Sequence, residues 1–242
     1  MTEYTLSLAF VDFLPVLFTA VGFLYVVYLV SSVLPVQGRI AFLGGILVVA
    51  GGLFKAVWKL LMALSNGSLD VNWMEDGLFM FMAPGYVMFA WSVWQTARLV
   101  QGKRIFSAWI VPFVFIVIMS GASFYLFNSQ PNSPAWERVL LSVTVLANVV
   151  SGILLVTFAF RQGLPMAGWL FIVNLIGIFV LNGLARLPEQ PISMQWIEEG
   201  INTVSWLAFA MAAYRIYQHA RVRFGKDAPV AAKMTAIAGQ GR

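Results

Sequence analysis

Charged residues are scarce in this chain of 242 residues, and cysteine is absent. Only 10% of the residues are charged and 60% are hydrophobic, whereas a soluble domain has about 25% charged and about 45–50% apolar residues. So little polar surface cannot cover a particle in water. The composition therefore excludes a soluble globule, a disordered chain and a coiled coil, and it predicts an integral membrane protein.

The shortage of cysteine and histidine excludes several kinds of chemistry. Without cysteine the chain has no disulfide, no thiol nucleophile and no thiolate metal site. His219 is the single histidine, which excludes histidine-rich di-iron enzymes and bis-histidine haem sites. Phosphate-binding glycine-rich loops, zinc-protease motifs and GxSxG elbows are also missing. We therefore expect no catalytic residue, no metal and no cofactor, and nothing in the sequence favours an enzyme.

What the chain has in abundance is long apolar runs. A membrane-spanning helix needs about 20 mostly apolar residues. With that window the sequence predicts an all-α fold of seven transmembrane helices in a single transmembrane domain, residues 1–242. Spans 1 and 4 are almost wholly apolar, and we expect them to face lipid. Spans 1 to 7 cover residues 8–34, 40–64, 74–98, 106–128, 138–160, 166–187 and 196–219.

The distribution of charge predicts the orientation. Most of the 15 basic residues lie at one end of the spans, and every acidic residue except Asp227 lies at or near the other end. By the positive-inside rule the N-terminus is outside and the C-terminus is cytoplasmic, and we expect a bacterial inner (plasma) membrane. The net charge of +5 then reflects topology and not nucleic-acid binding. The expected partners are the lipid bilayer and anionic lipid headgroups at the basic side, and a protein partner or a second copy of the chain remains open.

The chain also contains an internal repeat, in which residues 73–98 recur at 196–221. The shared features include a Trp-x-Glu-acid-Gly start and a Gln-x-Ala-Arg end. Upstream, Lys59 aligns with Arg186 and Lys55 with Asn182. The alternative is convergence, since interfacial tryptophan and acids at helix N-termini are generally useful.

This repeat predicts a plan of three helices, one linker helix and three helices. Repeat one covers 8–104, the linker helix 105–130 and repeat two 136–224, and a flexible basic tail follows at 225–242. Because the linker helix restores the direction of the chain, the two repeats are parallel and related by an axis along the membrane normal.

The layout resembles that of SWEET and PQ-loop sugar transporters, nicotinamide riboside transporters and microbial rhodopsins. The resemblance is one of architecture, over residues 10–222, and no family motif is matched. Neither repeat begins with the Pro-Gln pair of the PQ-loop proteins, and span 7 lacks the lysine that holds retinal in microbial rhodopsins. The resemblance implies either a solute pathway between the repeats or a ligand-binding sensor, with retinal only if its lysine has moved to Lys55.

Ionisable groups at membrane depth are costly, so they are the first candidates for function. Lys55 and Lys59 lie one turn apart on the same face of span 2. Arg186 lies at the outer end of span 6. Lys55 is the deepest of these charges, and Asp12 in span 1 is its expected partner unless the lysine is deprotonated.

Pairs of acids face these cations at the outer ends of spans 3 and 7. We expect Lys59 to pair with Glu75 or Asp76, and Arg186 to pair with Glu198 or Glu199. Such pairs would either form a gate or ligand mouth or simply join each helical hairpin.

Polar groups within spans 5, 6 and 7 are the remaining ligand candidates. Asn148, Asn182 and Asn202 either bind a solute or form hydrogen bonds with neighbouring helices. A small ligand is therefore expected among these three spans. Pro84-Gly85 interrupts span 3 and predicts a hinge.

These observations favour a small-solute transporter or channel with its pathway between the two repeats. Two other functions remain open, a seven-helix membrane sensor or ligand-binding protein and a non-catalytic membrane subunit of a larger complex.

Overall fold

A computed structural model of the protein describes residues 5–69, 71–130, 133–184 and 191–223. Within these ranges every regular element is a helix. The first two helices are separated only by Asp12 and together form one span, Leu6–Val33, so the described fold has the seven predicted helices. The elements are α1 (Leu6–Val11), α2 (Phe13–Val33), α3 (Pro35–Ser65), α4 (Asn72–Val100), α5 (Ile110–Ser129), α6 (Ala135–Arg161), α7 (Pro165–Leu184) and α8 (Ile192–Arg223).

Six of these helices, counting α1 and α2 as one, are long and apolar enough to cross a membrane. They are the helices of spans 1 to 6, and their length and composition are those expected of an integral membrane protein. Span 7 lies within α8, which has 32 residues and is less apolar than the other six. Its lower hydropathy comes from charged and polar residues at both ends, including Glu198 and Arg215.

Two helix starts differ from the sequence prediction. Pro35 lies between predicted spans 1 and 2, but it begins α3, because a proline at the first helical position needs no N–H partner. Span 4 was expected to begin at residue 106, but α5 begins at Ile110. The Gln95 side chain donates to the Phe106 carbonyl over 2.9 Å and accepts from the Phe106 N–H over 3.1 Å. These two bonds hold Phe106 outside the helix.

Six helices form a closed ring in which each packs on its two neighbours, in the order α2, α3, α4, α6, α7, α8. α5 packs outside this ring, mainly against α6. Aromatic residues fill the interior, among them the buried Phe23, Phe89, Phe171 and Phe209. Span 1 is only partly exposed, because α2 packs between α3 and α8 and yet exposes apolar residues such as Leu17 and Leu24, whereas α5 is mostly exposed as expected.

Helices α3 and α4 meet at glycines. A Cβ atom on Gly44 would lie 2.6 Å from the carbonyl oxygen of Gly85, and one on Gly85 would lie 2.7 Å from the carbonyl oxygen of Gly44. Gly51 approaches the Leu78 carbonyl in the same way. Small residues let membrane helices pack backbone to backbone, so these glycines bring α3 and its two lysines close to α4.

Candidate functional site

Lys59 lies at the centre of a buried ionic network. Its Nζ is 2.6 Å from Oε1 of Glu199 and 3.1 Å from Oδ1 of Asp12. The side chains of Lys59 and Glu199 are 9% exposed and that of Asp12 is 7% exposed. We call these three residues the ionic network. It joins α3, α8 and the junction between α1 and α2.

The position of Asp12 follows from the local sequence. Pro15 lacks an N–H, and its ring clashes with the carbonyl of the residue four positions earlier, Val11. The chain accordingly leaves the regular helix between α1 and α2 at Asp12. The Asp12 carboxylate does not cap α2 and instead pairs with Lys59.

This arrangement corrects the predicted partners of Lys59. Glu75 and Asp76 lie exposed at the start of α4, and the described salt bridges of Lys59 run to Asp12 and Glu199 instead. The physical reason is depth, because Lys59 points towards the buried junction of three helices and the acids of α4 point outwards. The charge of Glu75 still interacts with Lys59 and Lys55.

The second predicted pair, Arg186 with Glu198 or Glu199, stays a prediction. Glu199 binds Lys59. Its predicted cation, Arg186, lies outside the described residues. Glu198 is half-buried beside Glu199 on α8.

A cavity of about 220 Å³ adjoins the ionic network. It lies between α2, α3, α4 and α8, and its wall includes Asp12 of the network. The rest of the wall is largely apolar. The other wall residues with polar atoms are Thr19, Lys55, Tyr86, Asn202 and Trp206.

Lys55 is the cation of this cavity. It lies one turn from Lys59 on α3 and is half-buried. Its charge interacts with those of Asp12 and Glu75, but it forms no salt bridge with any carboxylate in the described part of the chain. The expected Asp12–Lys55 pair is therefore replaced by Asp12–Lys59, which leaves the Lys55 ammonium at the cavity wall.

The amides expected to bind a ligand have different environments. Asn202 lines the cavity. Asn182 donates to the Ile178 carbonyl of its own helix over 2.8 Å, and Asn148 is half-buried on α6, which does not line the cavity. The polar cavity therefore lies among α2, α3, α4 and α8, and not among the helices of spans 5, 6 and 7.

The predicted hinge at Pro84-Gly85 stays a prediction. α4 continues as a helix through Pro84. Gly85 has a packing role against Gly44, which accounts for its small size without any motion.

Sequence reasoning missed three residues of the cavity wall, Thr19, Tyr86 and Trp206, as lining groups. One signal was present, because Asp12 and Thr19 lie about two turns apart and so share one face of span 1. Thr19 is buried, and its hydroxyl donates to the Pro15 carbonyl over 2.7 Å. Tyr86 and Trp206 could not be separated by sequence from the other aromatic residues that pack the bundle.

A second cavity in the described part of the chain is larger but less suited to a polar ligand. A cavity of about 350 Å³ between α4, α5 and α6 is lined almost wholly by apolar and aromatic side chains, including Trp91 and Trp94. Within the described ranges no cluster of three or more histidine or acidic side chains could hold a metal ion. The cavity beside the ionic network is therefore the candidate functional site.

Comparison of the chain with protein-family models, with curated proteins and with solved structures gave no match in any of the three. The functional argument accordingly starts from the geometry of the ionic network and its cavity.

Proposed function

We propose that the protein is a transporter or channel for a small anionic solute, which passes between two parallel three-helix repeats. The observation that carries this proposal is the polar cavity, where the ammonium of Lys55 lines the wall without a salt bridge to any described carboxylate.

The size of the cavity favours a small solute. Its volume of about 220 Å³ is below the about 300–1,000 Å³ of pockets that hold drug-sized ligands. A long polyene such as retinal belongs to that larger class, so the cavity favours a solute over a retinal sensor.

The chemistry of the wall favours an anion. Lys55 supplies a positive charge, and Asn202 supplies amide N–H donors. A half-buried cation at a largely apolar cavity wall is costly, and a carboxylate or another small anion would compensate its charge. Thr19, Tyr86 and Trp206 add polar atoms that can orient the solute.

Two observations support a pathway between repeats. The sequence of α4 recurs in α8. The helix–helix contacts in the ring also correspond between the two repeats. The α3–α4 contact corresponds to the α7–α8 contact, and the α2–α8 contact corresponds to the α6–α4 contact. α5 lies outside the ring, as a linker helix would, and α8 acts as the seventh span with its N-terminus outside.

The ionic network would act as a gate between the repeats. Asp12 and Lys59 belong to the first repeat and Glu199 belongs to the second. Moving the repeats apart at this end of the bundle therefore requires the Lys59–Glu199 ion pair to open. Such a contact between two rigid halves is typical of proteins that alternate between two states.

The experiment has two steps. Purified protein is first mixed with acetate, lactate, inorganic phosphate, glycine or choline, and its thermal unfolding is measured. Probes that raise the Tm are then tested for uptake into proteoliposomes. We expect an anionic probe to raise the Tm and to be taken up, and the Lys55→Met variant to lose both effects. Lys103→Met, which removes an exposed lysine from the α4–α5 loop, is the matched control.

The outcomes separate the functions. Stabilisation by an anion without uptake would contradict transport and favour a ligand-binding sensor. Equal stabilisation and uptake in the wild type and Lys55→Met would contradict the role of the cavity.

A further inference from the structure

One oxygen of the ionic network lacks a hydrogen bond. Oε1 of Glu199 accepts from Lys59, but Oε2 is buried and has no hydrogen-bond partner among the described residues. A buried carboxylate oxygen normally accepts a hydrogen bond, because burial removes its water and an unsatisfied acceptor then has no compensating partner. We therefore expect a hydrogen-bond donor at this oxygen.

A second carboxyl group, that of Asp12, lies beside Glu199. Asp12 and Glu199 both lie on the same ammonium, at 3.1 Å and 2.6 Å, and their carboxyl groups are close enough for a side-chain hydrogen bond. Two ionised carboxylates only accept hydrogen bonds, so Asp12 and Glu199 could not bond to each other and their charges would repel. Like charges that share one site do not both ionise readily.

Counted over the described residues, the charges around the network leave one carboxylate in excess. The three acids Asp12, Glu75 and Glu199 interact there with two lysines, Lys55 and Lys59. α7 has no charged residue between Pro165 and Leu184. Asp70, Arg186 and Glu189 lie outside the described residues. The titratable groups near the network are Asp12 at the α1–α2 junction, Lys55 and Lys59 on α3, Glu75 and Tyr86 on α4, and Glu198 and Glu199 on α8.

We propose that Asp12 and Glu199 share one proton, held on Oε2 of Glu199, and that this proton is the coupling ion of the carrier. Binding the proton converts one carboxylate into a carboxylic acid and breaks no other bond. The unpaired Oε2 becomes a donor to Asp12, and the excess negative charge disappears. Lys59 keeps its contacts with Asp12 and Glu199. The coupling role rests on the proposed function, whereas the proton site itself does not.

The position of Lys55 explains how the proton and the solute would be coupled. An anion bound at Lys55 compensates the positive charge that otherwise acts on Asp12. The carboxyl pair then binds its proton more tightly, and by thermodynamic linkage the protonated pair binds the anion more tightly. The two bind together, so the expected transport mode is symport. Loss of the proton restores the repulsion between Asp12 and Glu199.

Infrared spectroscopy tests the proton site directly. The purified protein in lipid at neutral pH is expected to show the C=O stretching band of a protonated carboxylic acid. Labelling all glutamate carboxyls with ¹³C should shift this band, and Glu199→Gln should remove it. Asp76→Asn, which neutralises an exposed acid at the start of α4, is the matched control and should keep the band.

Absence of the band at neutral pH in the wild type would overturn the proposal, as would a band that persists unchanged in Glu199→Gln. The labelled wild type tests the proposal even if the variant does not fold. A band that does not shift on glutamate labelling does not come from Glu199. Spectra in sodium chloride and in choline chloride are compared as well. A band that sodium abolishes would assign the site to a metal cation and overturn the proton.

The spectroscopic test is independent of transport. A wild-type band with no uptake of any anion would overturn the coupling and the proposed function while leaving the proton site in place. Anion uptake without the band would overturn the proton site alone.

Discussion

Lys59 and Glu199 are 140 residues apart in the chain, yet the ammonium of one lies 2.6 Å from the carboxylate of the other. This ion pair joins α3 to α8, two helices that are not neighbours in the ring. Asp12 binds the same ammonium from the α1–α2 junction. A single lysine therefore holds three helices together beside the cavity.

Removing that lysine should destabilise the protein strongly. Lys59→Met leaves two buried carboxylates without their cation, and breaking a buried pair costs about 3–5 kcal/mol. The loss should be smaller at low pH, because protonation removes the uncompensated charges. Unfolding in denaturant at several pH values measures both effects. The control Lys103→Met should stay within about 0.5 kcal/mol of the wild type, as exposed substitutions do. A Lys59→Met protein as stable as that control would contradict the network.

The glycine contact between α3 and α4 gives a second prediction. Gly44→Val places side-chain atoms against the Gly85 carbonyl, and overpacking of this kind costs about 1–3 kcal/mol. Gly121→Val on α5 is the matched control, because a Cβ atom there meets nothing within 4 Å. Thermal unfolding of both variants measures the difference. Equal Tm values for the two would show that the helices are not in backbone contact.

A third prediction concerns the loop between α4 and α5. Gln95→Leu removes both hydrogen bonds to Phe106 and leaves two backbone groups unpaired, at a cost of about 1–3 kcal/mol each if they remain buried. The loop should open more often, and trypsin should cut more rapidly after Lys103 and Arg104. Gln101→Leu, which alters an exposed glutamine nearby, should leave the cleavage rate unchanged. No acceleration in Gln95→Leu would mean that the two bonds do not hold the loop.

The absence of cysteine makes the orientation easy to test. Ser68→Cys adds a single thiol to the α3–α4 loop, and Lys103→Cys adds one to the α4–α5 loop at the opposite end of α4. An impermeant maleimide applied to intact cells should label the first and spare the second, with both labelled after lysis. The reverse pattern would invert the proposed orientation and place the ionic network on the cytoplasmic side.

Hydropathy was sufficient to predict the helices. Each of the seven predicted spans coincides with a helix or, for span 1, with the interrupted pair α1 and α2. The errors occur at helix ends, where one residue decides the outcome. Pro35 starts a helix because its missing N–H costs nothing there, and Phe106 stays outside one because Gln95 binds its backbone.

The candidate site was only partly predictable. Lys55, Lys59 and Glu199 were candidates because charge at membrane depth is rare, and this holds for any fold of the chain. Their partners were not predictable. The hairpin between α3 and α4 suggested Glu75 or Asp76 for Lys59, since those acids are close in sequence. The structure uses Asp12 and Glu199 instead, which come near only when the ring closes.

The sequence alone is enough to predict the environment of this protein, a lipid bilayer, and its secondary structure, because both depend on local composition. With so few charges and such long apolar runs, the chain forms helices suited to a bilayer, since each backbone polar group must find its partner within its own segment. Which faces of those helices meet is a property of the packed ring. Only the tertiary structure brings Asp12, Lys59 and Glu199 into contact and leaves Lys55 at a cavity wall. Ion pairs between distant segments depend on helix packing, which no local pattern encodes.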